Sequence, residues 1–178
     1  MKRIISRSKL AFISGLCTVA LLGVTAYALT TTPLAAGTVD FFAPFGGPAN
    51  VRMSKTTMSV GETNGWHSHP GLVYVIVKSG TLTFESGCGD VHVYSAGQAF
   101  TEQATDIHRA VNYGPDPLEF YATLVVPAGS PSRINYGGPL CGPPADKNEC
   151  KNGGWSKFNY PRSFVDQGDC VSFVETGR

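Results

Sequence analysis

Two histidines, His67 and His69, stand two positions apart in a stretch of the chain that favours β-structure. Because the side chains of a strand point alternately to its two faces, both imidazoles would leave the same face and could reach one metal ion. The pair alone is weak evidence, since two solvent-exposed loop histidines would produce the same pattern. Whether it marks a metal site depends on the residues around it.

Glycines and a third histidine surround this pair at regular spacing. The first block contains Gly61, His67, His69 and Gly80, and the second contains Gly97, His108 and Asn112. Over about residues 51–130, the two blocks resemble the two motifs of the cupin family, G-x5-H-x-H-x3-E-x6-G and G-x5-P-x-G-x2-H-x3-N. Sixteen residues separate the blocks, which is similar to the short gap of small cupins. The match in both blocks makes the resemblance specific.

The resemblance implies a fold and a metal site. The fold would be a single cupin-type β-barrel, a jelly-roll-like double-stranded β-helix, and the metal ligands would be His67, His69 and His108. Three neutral imidazoles suit a divalent transition metal such as iron, zinc, manganese, nickel or copper better than magnesium or calcium. The sequence does not distinguish among these transition metals.

The resemblance also implies two functions, between which the sequence does not choose. Three-histidine iron sites of the cupin superfamily are associated with thiol dioxygenases, which implies a metal-dependent, dioxygenase-like enzyme acting on a small molecule. The alternative is a non-catalytic module in which the same barrel binds a small molecule or a partner. Cupin folds host both kinds of protein, so the fold alone does not decide between them.

Three positions depart from the cupin pattern. Val73 stands where the family has a glutamate ligand, which removes an anionic ligand and favours weaker metal binding. Gln103 replaces the motif proline and Thr105 the motif glycine, and both changes affect only a turn. Glu102 lies just before this turn and is a candidate fourth ligand or general base, with a solvated strand-end carboxylate as the alternative. The remaining histidine, His92, has no such frame around it and is expected to face solvent.

The composition favours an all-β fold. The chain has 21 glycines and 12 prolines, and charged residues make up only 15%, a balance typical of many short strands joined by turns. Seven runs are predicted as strands: Val51–Val60, Leu72–Val77, Thr81–Glu85, Asp90–Tyr94, Gln98–Glu102, Ile107–Tyr113 and Leu118–Val126. No helical period of useful length accompanies them, which favours a sandwich or a closed barrel.

The first 28 residues have the layout of a signal peptide. Basic residues come first, an apolar run from Leu10 to Leu29 follows, and the small-residue triplet Ala26-Tyr27-Ala28 precedes the predicted cleavage site. The run is also long enough for an uncleaved membrane anchor, which is the alternative. We therefore expect a secreted or extracytoplasmic protein that contacts a membrane only if this segment is retained.

The net charge of the chain without residues 1–28 narrows the classes of molecule that it is expected to bind. Removal of residues 1–28 takes away four of the 14 lysines and arginines and none of the 13 aspartates and glutamates, so 10 positive charges face 13 negative ones. No basic patch remains that could neutralise a phosphate backbone, so we expect no nucleic-acid partner. The expected partner is a small-molecule ligand or substrate, and a homodimer is compatible with the sequence.

Two segments flank the barrel region at 51–130. Residues 29–50, rich in threonine, alanine, glycine and proline, are interpreted as a linker. Residues 131–178 are interpreted as an irregular, disulfide-constrained tail that buries little by itself and contains one β-prone run, Cys170–Val174. The stretch from Cys150 to Val174 is similar to tails of other exported bacterial proteins, a resemblance that carries no assigned chemistry.

Four cysteines lie outside the predicted signal peptide, namely Cys88, Cys141, Cys150 and Cys170. An even number in an exported chain favours two disulfides over a four-thiolate zinc site, because no close C-x-x-C pair is present. Proximity along the chain favours Cys150 with Cys170 and Cys88 with Cys141. Four cysteines allow three pairings, so the other two pairings stay open.

Overall fold

Ten strands, most of them short, follow the β-prone runs of the sequence. The computed structural model describes residues 29–178, and all structural statements below concern this part of the chain. The strands are β1 (Thr30–Phe42), β2 (Gly47–Met58), β3 (His67–Ser68), β4 (Leu72–Ser79), β5 (Thr81–Ser86), β6 (Val91–Ser95), β7 (Ala99–Glu102), β8 (His108–Val111), β9 (Leu118–Pro127) and β10 (Ile134–Asn135). The predicted all-β fold is confirmed, and each of the seven predicted strands has a counterpart.

The strands form two five-stranded antiparallel sheets. One sheet has the order β1-β2-β9-β4-β7 and the other the order β10-β3-β8-β5-β6. Neighbours in a sheet are therefore often distant in sequence, as in the jelly-roll-like barrel that the motifs predicted. This connectivity brings the two histidine blocks, which are about forty residues apart, into one sheet.

The hydrophobic core lies between the two sheets, and buried and exposed side chains alternate along β4. Val73, Val75 and Val77 are buried, whereas Tyr74 and Ile76 on the opposite face are about half exposed. The inward residues pack against Met58, Leu82, Ala110, Leu118, Phe120 and Ala122. Each fully buried side chain of this size contributes roughly 1.5–3 kcal/mol to stability. This packing holds β4 in the register that builds the site.

The segment 29–50 is not the linker that its composition predicted. Thr30–Phe42 forms β1, which pairs with β2 along most of its length. Nearly every residue of β1 is exposed, so its sequence lacks the alternation that marks a half-buried strand. Backbone pairing with β2, which composition does not reveal, makes this segment a strand.

Two motif residues other than the histidines fix the turns between strands. Gly80 joins β4 to β5 with a φ of 77°, and a Cβ atom there would lie 2.6 Å from the carbonyl oxygen of Pro117, so glycine is required. Asn112 is fully buried. Its side-chain amide donates to the carbonyl oxygens of Met58 and Asp116 at 3.1 and 2.9 Å. Both residues therefore stabilise the frame around the histidines.

Both disulfides form with the pairing that proximity favoured. Cys88–Cys141 joins the hairpin between β5 and β6 to the C-terminal region, and Cys150–Cys170 closes a loop inside the tail. Residues 128–141, which run from the end of β9 to the first of these disulfides, are called the strap below. The strap includes β10, which pairs with β3 at the edge of the second sheet.

The tail buries more than the sequence predicted. Its three cysteines pack with two aromatic rings in a second small core, which consists of Cys141, Cys150, Cys170, Phe158 and Phe164. A short helix, α1 (Lys147–Cys150), and the longer α2 (Gln167–Thr176) surround it. The disulfides and the aromatic rings together give this short segment a core of its own.

Cys170–Val174, predicted as a strand, is part of α2, so that prediction is wrong. Asp166 caps the start of α2 by accepting a hydrogen bond from the backbone N–H of Asp169 at 2.9 Å. Gly177 ends the helix in the left-handed conformation, with a φ of 71°. These two caps outweigh the β-propensity of the valines and phenylalanine between them.

Within residues 29–178, no helix is long and apolar enough to cross a bilayer. The predicted signal peptide or anchor, residues 1–28, lies outside the described part of the chain. Its cleavage therefore stays a prediction.

Candidate metal centre

Strand pairing brings the two histidine blocks together. His67 in β3 and His108 in β8 are direct partners across the two strands, and His69 follows β3 two positions later. The ring centroid of His67 lies 4.8 Å from that of His69 and 4.5 Å from that of His108. All three side chains are buried, His108 completely. The three imidazoles thus form one cluster.

A hydrogen bond from Nδ1 to a backbone carbonyl orients each imidazole. The donor and acceptor pairs are His67 with Gly65 at 2.8 Å, His108 with Asp106 at 2.8 Å, and His69 with Ser132 at 2.5 Å. A carbonyl can only accept, so Nδ1 carries the proton in each ring and Nε2 carries the lone pair of the neutral form. Partners of this kind are what fixes the ring orientation of metal-binding histidines.

A fourth side chain, that of Glu102, completes the cluster. Glu102 ends β7, and its Oε2 lies 3.4 Å from Nε2 of His69 and 3.2 Å from Nε2 of His108. Only 8% of Glu102 is exposed, so the alternative of a solvated strand-end carboxylate is wrong. One potential ligand atom from each of the four residues lies within 4.8 Å of the other three. These four buried residues could hold a metal ion.

Burial and mutual contacts determine the charges in the cluster. Burial lowers the pKa of His67 to about 3, and the nearby His108 and Arg133 add to the effect. The imidazole of His67 is therefore neutral at pH 7, the form that binds metal. For Glu102, burial raises the pKa, but hydrogen bonds and positive charge from protonated His108 and His69 lower it to about 2, and a metal cation in place of those protons would act in the same direction. This carboxylate is ionised.

The cluster fits a divalent metal ion. Nε2 of His108 is buried and has no hydrogen-bond partner in the described part of the chain. Because Nδ1 donates to a carbonyl in both His108 and His69, the Nε2 lone pairs of the neutral rings face the Glu102 carboxylate. Acceptors that face one another are unfavourable unless a cation, whether a proton or a metal ion, lies between them. Three imidazole nitrogens and one carboxylate oxygen suit a transition metal.

A cavity of about 590 Å³ opens above the cluster. His67, His69 and Glu102 contribute to its lining, together with residues of β1, β2, β9 and the strap. This volume lies in the range of small-molecule binding sites. A small molecule in the cavity could therefore reach an ion held by the cluster.

The strap supplies parts of the site that sequence analysis missed. Ser132 provides the carbonyl that orients His69, and Arg133 lines the cavity. Neither residue belongs to a motif or to a strand of more than two residues, so no periodic signal marks them. His92, by contrast, is exposed as predicted and lies outside the cluster.

The turn between β7 and β8 accommodates the other two departures from the motif. Thr105, at the motif glycine, has a φ of 67°, and its backbone N–H donates to the carbonyl oxygen of His69 at 2.8 Å. Gln103, at the motif proline, is exposed.

Comparison with known families identifies the barrel. The family model of the cupin domain matches residues 54–127, a segment that holds both motif blocks. The chain carries a cupin domain. All four residues of the metal cluster lie inside this cupin segment. No curated protein matches the chain in sequence.

Several solved structures resemble the cupin domain of this chain. A Klebsiella pneumoniae protein with a double-stranded β-helix domain is 20% identical over 60% of this chain and 82% of its own, with a TM-score of 0.48. A cupin superfamily protein from Desulfitobacterium hafniense is 13% identical over 56% and 79%, with a TM-score of 0.46. A cupin 2 conserved barrel domain protein from Salinispora arenicola is 21% identical over 56% and 76%, with a TM-score of 0.45. The family assignment rests on the cupin-domain match and the two motif blocks.

Proposed function

We propose that this protein is an exported cupin whose cluster of His67, His69, His108 and Glu102 binds one divalent transition-metal ion. A small molecule occupies the cavity above the ion. Iron, zinc, manganese, nickel and copper all accept nitrogen and oxygen ligands of this kind, so the ligand set alone does not select the metal.

The orientation of the three imidazoles carries this proposal. Each Nδ1 is committed to a backbone carbonyl, which directs the remaining nitrogen of each ring toward the other rings and Glu102. A cluster of histidines that only filled the core would need polar partners for those nitrogens, because buried polar atoms without partners destabilise a fold. Within the described residues, Nε2 of His108 forms no hydrogen bond, although Oε2 of Glu102 lies 3.2 Å away.

Access from the cavity supports a centre that acts on a ligand rather than a purely structural ion. Four protein ligands would close a tetrahedral zinc site, whereas an ion that accepts more than four ligands, as non-haem iron does, keeps positions open toward the cavity. When bound, the ion supplies a Lewis acid that can polarise a ligand atom. The chain contributes the fixed imidazoles, one compensating negative charge and a largely apolar wall.

Glu102 weakens the expectation of a thiol substrate, which rested on the motif alone. The comparison with thiol dioxygenases depended on three histidines without an acidic ligand, and Glu102 now stands beside two of them. We propose Glu102 as the fourth ligand rather than as a general base, because its Oε2 lies within 3.4 Å of Nε2 of both His69 and His108. A carboxylate bound to the ion is not free to move a proton.

Metal content tests this proposal. Protein purified without an affinity tag is expected to contain about one ion per chain by elemental analysis, and His108→Ala is expected to lose most of it. His92→Ala is the matched control, since His92 is exposed and lies outside the cluster. Equal metal content in the wild type and His108→Ala would contradict the proposal.

Oxygen uptake separates the two functional classes. Metal-loaded protein is tested for oxygen consumption against a panel of thiols, phenols and carboxylic acids, with His108→Ala as the inactive control. Uptake that depends on one compound and on His108 would identify an oxygen-using enzyme. Bound metal without any turnover would identify the non-catalytic binding module.

Export is the other part of the proposal. Two disulfides are typical of proteins that fold in oxidising compartments, which supports an extracytoplasmic location. N-terminal sequencing of the native protein is expected to start near Leu29. A native chain that begins at Met1 and fractionates with membranes would replace cleavage with anchoring.

A further inference from the structure

The cavity above the metal cluster carries more positive than negative side chains. Arg52 from β2 and Arg133 from the strap both line it, whereas Glu102 is the one carboxylate in its lining. Neither guanidinium forms an ion pair with a carboxylate among residues 29–178. A divalent ion bound beside Glu102 would add to the positive charge.

Two of the three nitrogens of the Arg133 guanidinium have hydrogen-bond partners and the third has none among the described residues. Its Nε donates to the side-chain oxygen of Asn135 at 2.5 Å, and its Nη2 donates to the carbonyl oxygens of Gly65, at 3.3 Å, and of Asn64. Its Nη1 has no hydrogen-bond partner in the described chain. Burial lowers the pKa of Arg133, a desolvation cost that a bound anion would offset.

Arg52, an exposed residue of β2, also lines the cavity. Its Nη1 donates to the side-chain oxygen of Ser132, the residue whose carbonyl orients His69. The other nitrogens of Arg52 have no hydrogen-bond partner within residues 29–178. Both arginines are therefore anchored beside Ser132, next to the metal cluster, with N–H groups to spare.

The remaining wall of the cavity is apolar. It includes Pro33 and Ala35 of β1, Met53 of β2, and Phe120 and Leu124 of β9. Such a surface binds a hydrocarbon or aromatic body, because it gains free energy as both surfaces leave water. A ligand that suits the whole cavity therefore combines an apolar body with an anionic group.

We infer that the cavity binds a small organic carboxylate, whose apolar body packs on β1 and β9 and whose carboxylate accepts hydrogen bonds from Arg133 and Arg52. The planar guanidinium donors match the two oxygens of a carboxylate. Guanidinium donors also match phosphate, but phosphate sites commonly add a helix N-terminus, a glycine-rich loop or a lysine, and the described residues that line the cavity include no lysine. The inference rests on the proposed function for the ion below the ligand.

The test compares matched probes. Binding of 4-phenylbutyrate and of its neutral isostere 4-phenylbutyramide is measured by calorimetry on zinc-loaded wild type, Arg133→Met, Arg52→Met and Arg109→Met. Arg109 is the control, because its guanidinium pairs with Glu85 at 2.6 Å and it is not part of the cavity lining. Circular dichroism and metal content confirm that each variant is folded and loaded.

We expect wild type to bind the carboxylate at least about tenfold more tightly than the amide, the usual effect of charge-assisted hydrogen bonds. Arg133→Met should remove most of this preference and Arg52→Met part of it, while Arg109→Met keeps it. Equal affinity for both probes in the wild type, or an unchanged preference in Arg133→Met and Arg52→Met, would overturn the inference. Tighter binding of 4-phenylbutyl phosphate than of the carboxylate would overturn the assignment to carboxylates.

Failure of the inference and failure of the proposed function give different results. His108→Ala removes the ion but leaves both arginines in place. If wild type holds no metal while the carboxylate preference still depends on Arg133, the metal proposal fails and the inference stands. If the preference is lost in His108→Ala but kept in both arginine variants, the ion binds the carboxylate and the inference fails.

Discussion

Val73 and Glu102 are direct partners in the β4–β7 pair, with their side chains on the same face of the sheet. Val73 holds the position of the glutamate in the cupin motif, and Glu102 presents a carboxylate to the histidines from the neighbouring strand. Opposed residues of antiparallel strands have Cβ atoms about 4.5–5.5 Å apart, a distance that a glutamate side chain can span. The anionic ligand missing from β4 is thus available from β7.

Exchange of these two residues is therefore expected to preserve the metal site. Glu102→Val alone should weaken metal binding about tenfold or more, since a metal ligand contributes at least as much as the groups that orient it. The double variant Val73→Glu/Glu102→Val should recover most of the lost affinity. Titration with zinc and a chromophoric chelator measures all three proteins. A double variant no better than Glu102→Val would show that the two positions are not equivalent.

The motif spacing predicted the three histidines because their positions depend on strand alternation, which the sequence encodes locally. The participation of Glu102 depends on which strand pairs with β4 and in which register. Its position just before the motif turn made Glu102 a candidate ligand, but the register that places its carboxylate beside the histidines follows from packing across the whole core. Arg133 was harder still to predict, since it lies in the strap beyond the last long strand.

Thr105 adopts a left-handed backbone conformation that a β-branched residue rarely takes. Thr105→Gly should stabilise the protein by about 0.5–1 kcal/mol, because removal of a strain of roughly 1–2 kcal/mol is partly offset by the greater entropy of unfolded glycine. Gly97→Ala, with a φ of 86° and open space around the added Cβ, is the reciprocal control and should destabilise by about 1 kcal/mol. Urea unfolding measures both. A less stable Thr105→Gly protein would contradict the assignment of strain to this turn.

The disulfide Cys88–Cys141 fixes the end of the strap, which carries the carbonyl acceptor of His69. Cys88→Ser/Cys141→Ser should cost roughly 2–4 kcal/mol of stability and also weaken metal binding several-fold, because the strap then no longer fixes the His69 ring. Cys150→Ser/Cys170→Ser removes a similar bridge that lies entirely within the tail. It should lower stability without changing metal affinity. Equal metal affinity in both double variants would show that the strap does not position the site.

Asp169 in α2 ties the tail together through Arg162. Two hydrogen bonds of 2.8 Å from Arg162 and one of 3.0 Å from the backbone N–H of Val165 lower the pKa of Asp169 from its ordinary value to about 2. A carboxyl group whose pKa is lower in the folded than in the unfolded state stabilises the fold at pH values above the unfolded pKa, which is near 4. This stabilisation is lost as the pH falls toward the folded pKa of about 2. Asp169→Asn should therefore be less stable than wild type at pH 6, by a margin that shrinks between pH 4 and 2.

Thermal unfolding at several pH values measures this margin. Arg162→Met removes the main cause of the lowered pKa, so the effect of Asp169→Asn should be smaller in that background. A margin that stays constant from pH 6 to pH 2 would contradict a role for the ionised carboxylate.

In the tail, the sequence pattern predicted a strand at Cys170–Val174, where the structure has the helix α2. Val171 and the residues around it favour a strand by propensity, yet the caps at Asp166 and Gly177 produce α2. The Cys150–Cys170 disulfide then holds this helix against α1. Capping residues and the bridge could be seen in the sequence separately, but only their combination in one small core determines the helix.

We propose that His67, His69, His108 and Glu102 together bind a single metal ion. The most direct measurement is a crystal structure of the metal-loaded protein with diffraction data collected at the absorption edge of its metal. We expect one anomalous peak, bonded to a ring nitrogen of each histidine and to a carboxylate oxygen of Glu102. A peak at any other location, or none in protein that elemental analysis shows to contain metal, would contradict the claim.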